Sequence, residues 1–229
     1  EHLQSYKERL FGEFGRLGKA LYSPRRLELL DLLCQTERTV EDLMRHTGLS
    51  ASNVSQHLSV LRDARLVASR KEGLFVYYRL ADPVVGDFWR AFRNVAIHCM
   101  AEARELVNSY NDDPEDQAPI GADDLRARIE KGDVVLLDVR PANEYDAAHL
   151  PGALSIPLEE LEARLAEIPG DQEVIAYCRG PFCVMAHEAV RLLRAKGYRA
   201  RRAEEGIPEW RAHGEPVESN GKRLETLDS

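Results

Sequence analysis

Cys178 and Cys183 bracket a short loop within the run Val174-Ile-Ala-Tyr-Cys-Arg-Gly-Pro-Phe-Cys-Val-Met-Ala186. The β-branched apolar start predicts a buried strand, Gly180 and Pro181 interrupt it, and Ala186 to Leu193 resumes with helical spacing. Cys178 is thus expected at the carboxyl end of a strand, in a tight loop that enters a helix N-terminus. Loop amides and the helix dipole at such a place favour an anion: a thiolate, a persulfide or a bound oxyanion. That is the position of a nucleophile, and a loop containing Gly-Pro ordinarily reaches the surface rather than the core. Arg179 is expected to add positive charge at the mouth of the loop.

A second group of residues suits a different chemistry. Ser52, Asn53, Ser55, Gln56 and His57 fall on the outward side of a predicted helix, with Arg62 further along it. Small hydroxyl and amide side chains at the start of a helix match the edges of bases in a major groove. Arg70 and Lys71 lie at the tip of a predicted hairpin, where they can meet phosphates or the minor groove. A solvated polar face is the bland alternative for each group, and their occurrence together weighs against it.

The elements that would position these residues follow in order. Leu10, Phe14, Leu17 and Leu21 form one face of a helix from Tyr6 to Leu21. Ser23-Pro24 starts a second helix running from Arg25 to about Gln35. Thr39 caps a third, which Gly48 ends, and Ser50 caps a fourth that buries Val54, Leu58 and Leu61. A short helix, the turn Thr47-Gly-Leu-Ser50 and a second helix make a helix-turn-helix, and Leu66–Leu80 reads as a hairpin wing. A long apolar helix from Pro83 to about Asn108 closes the first half. Asn111 to Pro119 is acidic and Pro-containing, the composition of a linker. Beyond it, short apolar strands at Val134–Leu137 and Val174–Tyr177 alternate with helices, one of them expected over Leu158–Ile168. This pattern gives a small α/β domain with a largely parallel sheet, whose carboxyl strand ends form the site. Asp138 and Cys178 both fall at such ends.

Composition bounds the rest. The 229 residues suffice for two domains, and 44% hydrophobic with 31% charged residues describes a globular chain rather than a disordered one. No apolar run approaches the roughly 20 residues that span a bilayer, and no signal sequence is read from a chain that starts at Glu1. Four cysteines without metal-finger spacing suit a reducing cytoplasm. Residues 1–111 carry 16 Lys and Arg against 14 Asp and Glu, whereas residues 112–229 carry 15 against 25. Only the first half is suited to a polyanion.

The segments Ser23-Pro-Arg-Arg-Leu-Glu-Leu-Leu-Asp-Leu-Leu, Arg38-Thr-Val-Glu-Asp-Leu, Gly48-Leu-Ser, Ser55-Gln-His-Leu-Ser-Val-Leu and Val76-Tyr-Tyr-Arg-Leu resemble the ArsR/SmtB family of winged-helix repressors over about Tyr6–Tyr110. The resemblance implies a homodimer, formed mainly by the first and last helices, on double-stranded operator DNA with two-fold symmetry. Metal-sensing members carry a Cys-x-Cys pair where this chain has Thr39-Val-Glu41, or ligands along the last helix, where only His98 and Glu102 occur. No metal is therefore expected. Persulfide-sensing members use one cysteine on the second helix and one on the last. Cys99 matches and Cys34 falls about one turn away, so this pair is a candidate redox sensor, with plain packing as the alternative.

The second half resembles the rhodanese domain over about Gln117–Val217, through Leu137-Asp-Val-Arg140, Glu144-Tyr-x-x-x-His149-Leu-Pro-Gly-Ala153, Tyr177-Cys178 and Gly206-x-Pro-x-Trp210. Rhodaneses are sulfurtransferases, so the resemblance implies that Cys178 takes sulfane sulfur from a donor such as a persulfide or thiosulfate and holds it as a persulfide. It implies that Asp138 and Arg140 brace the loop with Gly180, and that His149 is structural. No cofactor is implied. Amides from Arg179 to Val184 are expected to depress the Cys178 pKa. Cys183 has two readings: it attacks the persulfide and releases sulfide, or it packs at the helix start. A phosphatase-like Cys-x5-Arg motif fails, because Val184 stands where the Arg would be.

The expected organisation is therefore two domains: a mainly-α winged helix-turn-helix domain (1–110), an acidic linker (111–119), an α/β rhodanese-like domain (120–217) and a polar, disordered tail (218–229). The expected function is a cytoplasmic DNA-binding repressor with a sulfur-handling domain. The alternative is a sulfurtransferase whose winged helix mainly dimerises, and a third reading, ranked after both, is an arsenic- or metal-responsive repressor with a passive second domain.

Overall fold

A computed structural model describes residues 2–111, 118–219 and 222–224. It forms two compact units, Glu1–Arg93 and Asn94–Ser229, with the division inside the helix α5. Most of the expected linker, residues 112–117, lies outside the described residues.

The first unit opens with α1 (His2–Leu21) and α2 (Pro24–Gln35). Then come β1 (Arg38–Thr39), α3 (Val40–Thr47), α4 (Ala51–Asp63), β2 (Val67–Glu72), β3 (Phe75–Leu80) and α5 (Pro83–Cys99). Leu29, Leu30, Leu43, Val54, Leu58 and Leu61 are fully buried and make its core. Thr39 accepts from the Asp42 amide to start α3, and Gly48, with φ of 67°, ends it in the left-handed region that favours glycine. The Ser50 side chain accepts from the Asn53 amide and starts α4. β2 and β3 pair antiparallel from Val67↔Leu80 to Glu72↔Phe75, and β1 adds to the other edge of β3. The hairpin turns on Gly73 and Leu74, with glycine in the first central position at φ of 59°. Asp31 on α2 accepts from Trp89 Nε1 at 2.9 Å and from Arg93 Nη1 at 3.0 Å, which pins α5 against α2.

The long last helix expected from the sequence is divided. α5 ends at Cys99 and α6 covers Ala101–Asn111, although the bonds Met100 N–Ala96 O and Arg104 N–Met100 O carry the helical ladder across. Neither glycine nor proline marks the break, so no residue type announces it.

The second unit continues with α7 (Ala122–Lys131), β4 (Val134–Asp138), α8 (Ala142–Ala147), β5 (Leu154–Ser155), β6 (Glu173–Tyr177), α9 (Met185–Ala195), β7 (Ala200–Arg202) and α10 (Ile207–Ala212). A parallel sheet in the order β5-β4-β6-β7 forms its centre. Alternate residues serve opposite faces: Leu137, Val174 and Ala176 join one core, Leu136, Ile175 and Tyr177 the other. Continuous apolar runs are the sequence form of strands covered on both sides, which is why β4 and β6 were legible.

Two expectations are corrected here. Leu158–Ile168 is not one helix but two single turns of 3-10 helix, Leu158–Glu160 and Leu165–Glu167, joined by turns. Leu161 and Ile168 are buried there, so tertiary packing, not a continuous helical stripe, holds the segment. The stretch after Val217, expected as a disordered tail, contains an antiparallel pair of β8 (Val217–Ser219) and β9 (Lys222–Leu224), while the rest of that expected tail lies outside the described residues. His149 and Glu218 exchange both backbone hydrogen bonds, so β8 is ordered by main-chain pairing that side-chain polarity does not reveal. No helix among the described residues is long and apolar enough to cross a membrane.

Candidate functional site

Cys178 follows the last residue of β6, and Gly180 with φ of 131° turns the chain into the loop. The Cys183 amide donates to Gly180 O at 3.1 Å, closing a tight turn through Pro181 and Phe182 before α9 begins at Met185. Cys178 is buried at 4% exposure and Cys183 is half-buried. The Cys178 thiol donates to Cys183 O at 3.4 Å. The amides of Ala186 and Gly180 favour the charged form of Cys178, and those of Arg179 and Met185 that of Cys183.

The electrostatics differ from the expectation. Burial pushes the Cys178 thiol up, and its partner Cys183 pushes the same way; the two amides act against them without prevailing. The hydrogen bond from Cys178 pulls Cys183 down to about 7 despite its own burial. Cys183 is therefore the more readily ionised sulfur of the empty loop, with Cys178 holding the proton between them.

Arg179 also departs from its expected place. Its guanidinium turns inward to Glu144, with Nε–Oε1 at 2.9 Å and Nη2–Oε1 at 2.6 Å. Glu144 is fully buried and the Arg179 side chain is 15% exposed. The charge meant for the mouth of the loop is thus spent on fastening the loop to α8. Behind it, Arg140 binds Asp138 through Nε–Oδ1 at 2.9 Å and Nη2–Oδ2 at 2.6 Å, and Nη2 also donates to Ala148 O at 2.7 Å. Both are fully buried, and Arg140 Nη1 stands 4.0 Å from Glu144 Oε2. Burial opposes the Arg140 charge, but the Asp138 carboxylate outweighs it and keeps the guanidinium firmly protonated. Asp138, Arg140, Glu144 and Arg179 so form a chain of charges from the end of β4 to the loop. His149 stays outside it, stacked on Tyr145 at 3.7 Å with Nδ1 2.7 Å from Tyr145 O.

Two residues that sequence reasoning left without a role close the loop from the far side. A Cβ on Gly206 would stand 2.5 Å from Arg179 C and Gly180 N and 2.7 Å from Cys178 O. Glu209 accepts from the Gly206 amide at 3.2 Å, and its Oε2 would lie 2.8 Å from a Cβ on Gly180. Glu144 is the third such residue. Both it and Gly206 stood in matched motifs, which was the available signal.

In the first unit Ser52, Asn53, Ser55, Gln56 and Arg62 are exposed on α4, and His57 is half-buried beside them. Burial, then Arg26 and Arg25, holds the His57 imidazole below its ordinary value of 6.5. Lys71 is exposed on the wing. Arg70 is engaged: Nε donates to Glu37 Oε2 at 2.9 Å, its Nη groups bind Glu37 and Glu72, and its guanidinium lies 4.6 Å over the Tyr77 ring. Cys34 lies half-buried on α2 in the first unit, and Cys99 is exposed at the end of α5 in the second.

A helix-turn-helix with a wing, joined in one chain to a parallel sheet bearing a loop cysteine, is the architecture of a winged-helix regulator with an added α/β domain. Residues 23–69 match the family model described as bacterial regulatory protein, arsR family, and residues 121–213 match that of the rhodanese-like domain. The HTH-type transcriptional regulator Rv0324 of Mycobacterium tuberculosis is 42% identical over 212 residues, 93% of each chain. The chain belongs to the ArsR family of transcriptional regulators, in the form that carries a rhodanese-like domain after the winged helix. A sulfurtransferase of Allochromatium vinosum is 33% identical over 100 residues, covering 43% of this chain and 92% of that protein. Among solved structures, the homodimeric winged helix-turn-helix DNA-binding domain Mb0332 of Mycobacterium bovis is 38% identical, with a TM-score of 0.40. It covers 42% of this chain and 89% of that one.

Proposed function

We propose that this regulator is a repressor that binds operator DNA as a homodimer, and that its operator affinity depends on sulfane sulfur loaded on Cys178. The observation that carries this is the placement of Cys178 after β6, in a tight loop that Gly180 turns and that leads straight into α9. A persulfide is more acidic than a thiol, so the cradle that fails to ionise the thiol still suits the anionic outer sulfur of the loaded form. The exposed Asn53, Ser55 and Gln56 on α4 supply base-reading groups, with Lys71 for a phosphate. Dimerisation is supported by α1, which leaves Leu3, Tyr6, Phe11 and Phe14 more than half exposed. The inward turn of Arg179 favours a small persulfide over the thiosulfate dianion as donor, because its guanidinium is neutralised by Glu144. The test is operator binding measured with and without inorganic polysulfide. Affinity changes for the wild type and stays constant for Cys178→Ser; equal changes in both would sink the coupling.

The engagement of Arg70 by Glu37 and Glu72 favours a second reading. On it the winged helix is mainly a dimerisation module and the chain is a sulfurtransferase. Absence of binding to DNA upstream of its own gene, together with sulfur transfer from a persulfide to a small thiol, selects that reading.

A further inference from the structure

We propose that Cys183 is a resolving thiol, which converts a persulfide on Cys178 into an intraloop disulfide and hydrosulfide. The inference rests on the loading of Cys178 and adds the fate of the sulfur: the loop reduces it rather than storing it.

Three observations place the second sulfur for this step. The Cys178 thiol lies 3.4 Å from Cys183 O, so the two cysteines already meet across the loop. The Cys183 N–Gly180 O bond at 3.1 Å, with Pro181 between, holds the loop closed on Cys178. The amides of Arg179 and Met185 favour the charged form of Cys183, while a different pair, Ala186 and Gly180, acts on Cys178. The arrangement stabilises Cys183 as a thiolate next to the atom it would attack, and its pKa of about 7 supports that state.

The step balances without an external oxidant. The Cys183 thiolate attacks Cys178 Sγ, the inner sulfur of the persulfide after its anionic outer sulfur has taken a proton from solvent to give Cys178–S–SH. The Cys178–Cys183 S–S bond forms as the inner–outer S–S bond breaks, and the outer sulfur departs with its proton as HS⁻. That sulfur is reduced to sulfide while the two cysteine sulfurs are oxidised to the disulfide. A dithiol reductant returns the loop to its two-thiol form by exchange.

The test uses the reduced full-length chain and one equivalent of glutathione persulfide without oxygen, followed by intact-mass analysis and a sulfide assay. For the wild type, a species heavier by about 32 Da appears and decays to one about 2 Da lighter than the reduced protein. About one sulfide per chain is released as it decays. Cys183→Ser and Cys183→Ala each hold the heavier species at least about tenfold longer and release no sulfide above the Cys178→Ser background. Two substitutions of different polarity guard against a folding defect, which thermal unfolding also reports. Equal lifetimes of the heavier species in the wild type and both variants overturn the resolving role while leaving the loading of Cys178 intact. Added mass that peptide mapping places on Cys183 in Cys178→Ser overturns it too, by making Cys183 the first acceptor. A chain that never gains the added mass in any form overturns the loading reading itself.

Discussion

Replacing Gly206 with Ala isolates the contact that holds the sulfur loop from behind. Gly206 has φ of −109° and ψ of −169°, an extended conformation that alanine adopts without strain, so the backbone itself contributes no penalty. The added methyl, however, meets Arg179 C and Gly180 N at 2.5 Å, where ordinary contact begins near 3.4 Å. The two segments must therefore separate by about 0.9 Å, and main-chain atoms of the loop cannot swing aside as a flexible side chain would. Overpacking of this kind costs about 1–3 kcal/mol. The separation also lifts the loop off α10, exposing Cys178, which is only 4% accessible in the closed loop. Urea unfolding measures the first effect, and the rate of iodoacetamide alkylation at Cys178, read by peptide mass, measures the second. Gly170→Ala is the control, since nothing lies within 4 Å of its Cβ. Stability within about 0.5 kcal/mol of the wild type, with unchanged alkylation at Cys178, would refute the argument that Gly206 is required by close approach.

Glu144→Gln leaves the Arg179 guanidinium without its carboxylate in a largely buried place. Removing one partner of such a pair costs about 3–5 kcal/mol. The partial exposure of Arg179 puts this one near the lower end, and calorimetry should show the second unit melting roughly 10 °C lower. Glu37→Gln removes the main hydrogen-bond partner of Arg70 on the wing. Operator affinity should rise, with the salt dependence steeper by about one unit of slope, as measured by fluorescence anisotropy. A flat result removes Arg70 from the DNA interface. His57 has a folded-state pKa below the ordinary 6.5, so the stability it contributes is complete above about 6.5 and is lost as pH falls through the lower folded value. The melting temperature of the first unit should decline on acidification below about pH 6.5, and less steeply in His57→Gln.

The elements around each site were legible wherever local chemistry decides local structure. Thr39, Gly48 and Ser50 announced the ends of α3 and α4 because a cap bonds to its own helix. The apolar runs announced β4 and β6 because strands covered on both faces need no polar residues. The position of Cys178 at a strand end followed from the same run and from Gly180-Pro181. Elements that depend on distant partners were not legible: the two single turns at Leu158–Glu167 in place of a helix, and the strand pair after Val217, which pairs with His149 far earlier in the chain.

By itself the sequence determined that a thiol stands in an amide-lined loop and that a polar helix with a wing precedes it, since both rest on residue type and short spacing. Only the tertiary structure decided what the charges do. Arg179 and Arg70 looked like free cations, yet each is claimed by a carboxylate distant in sequence, Glu144 and Glu37. The balance of ionisation within the loop was decided in the same way. It depends on how deeply Cys178 is buried and on the hydrogen bond to Cys183, and both arise only when the loop closes between α10 and the start of α9.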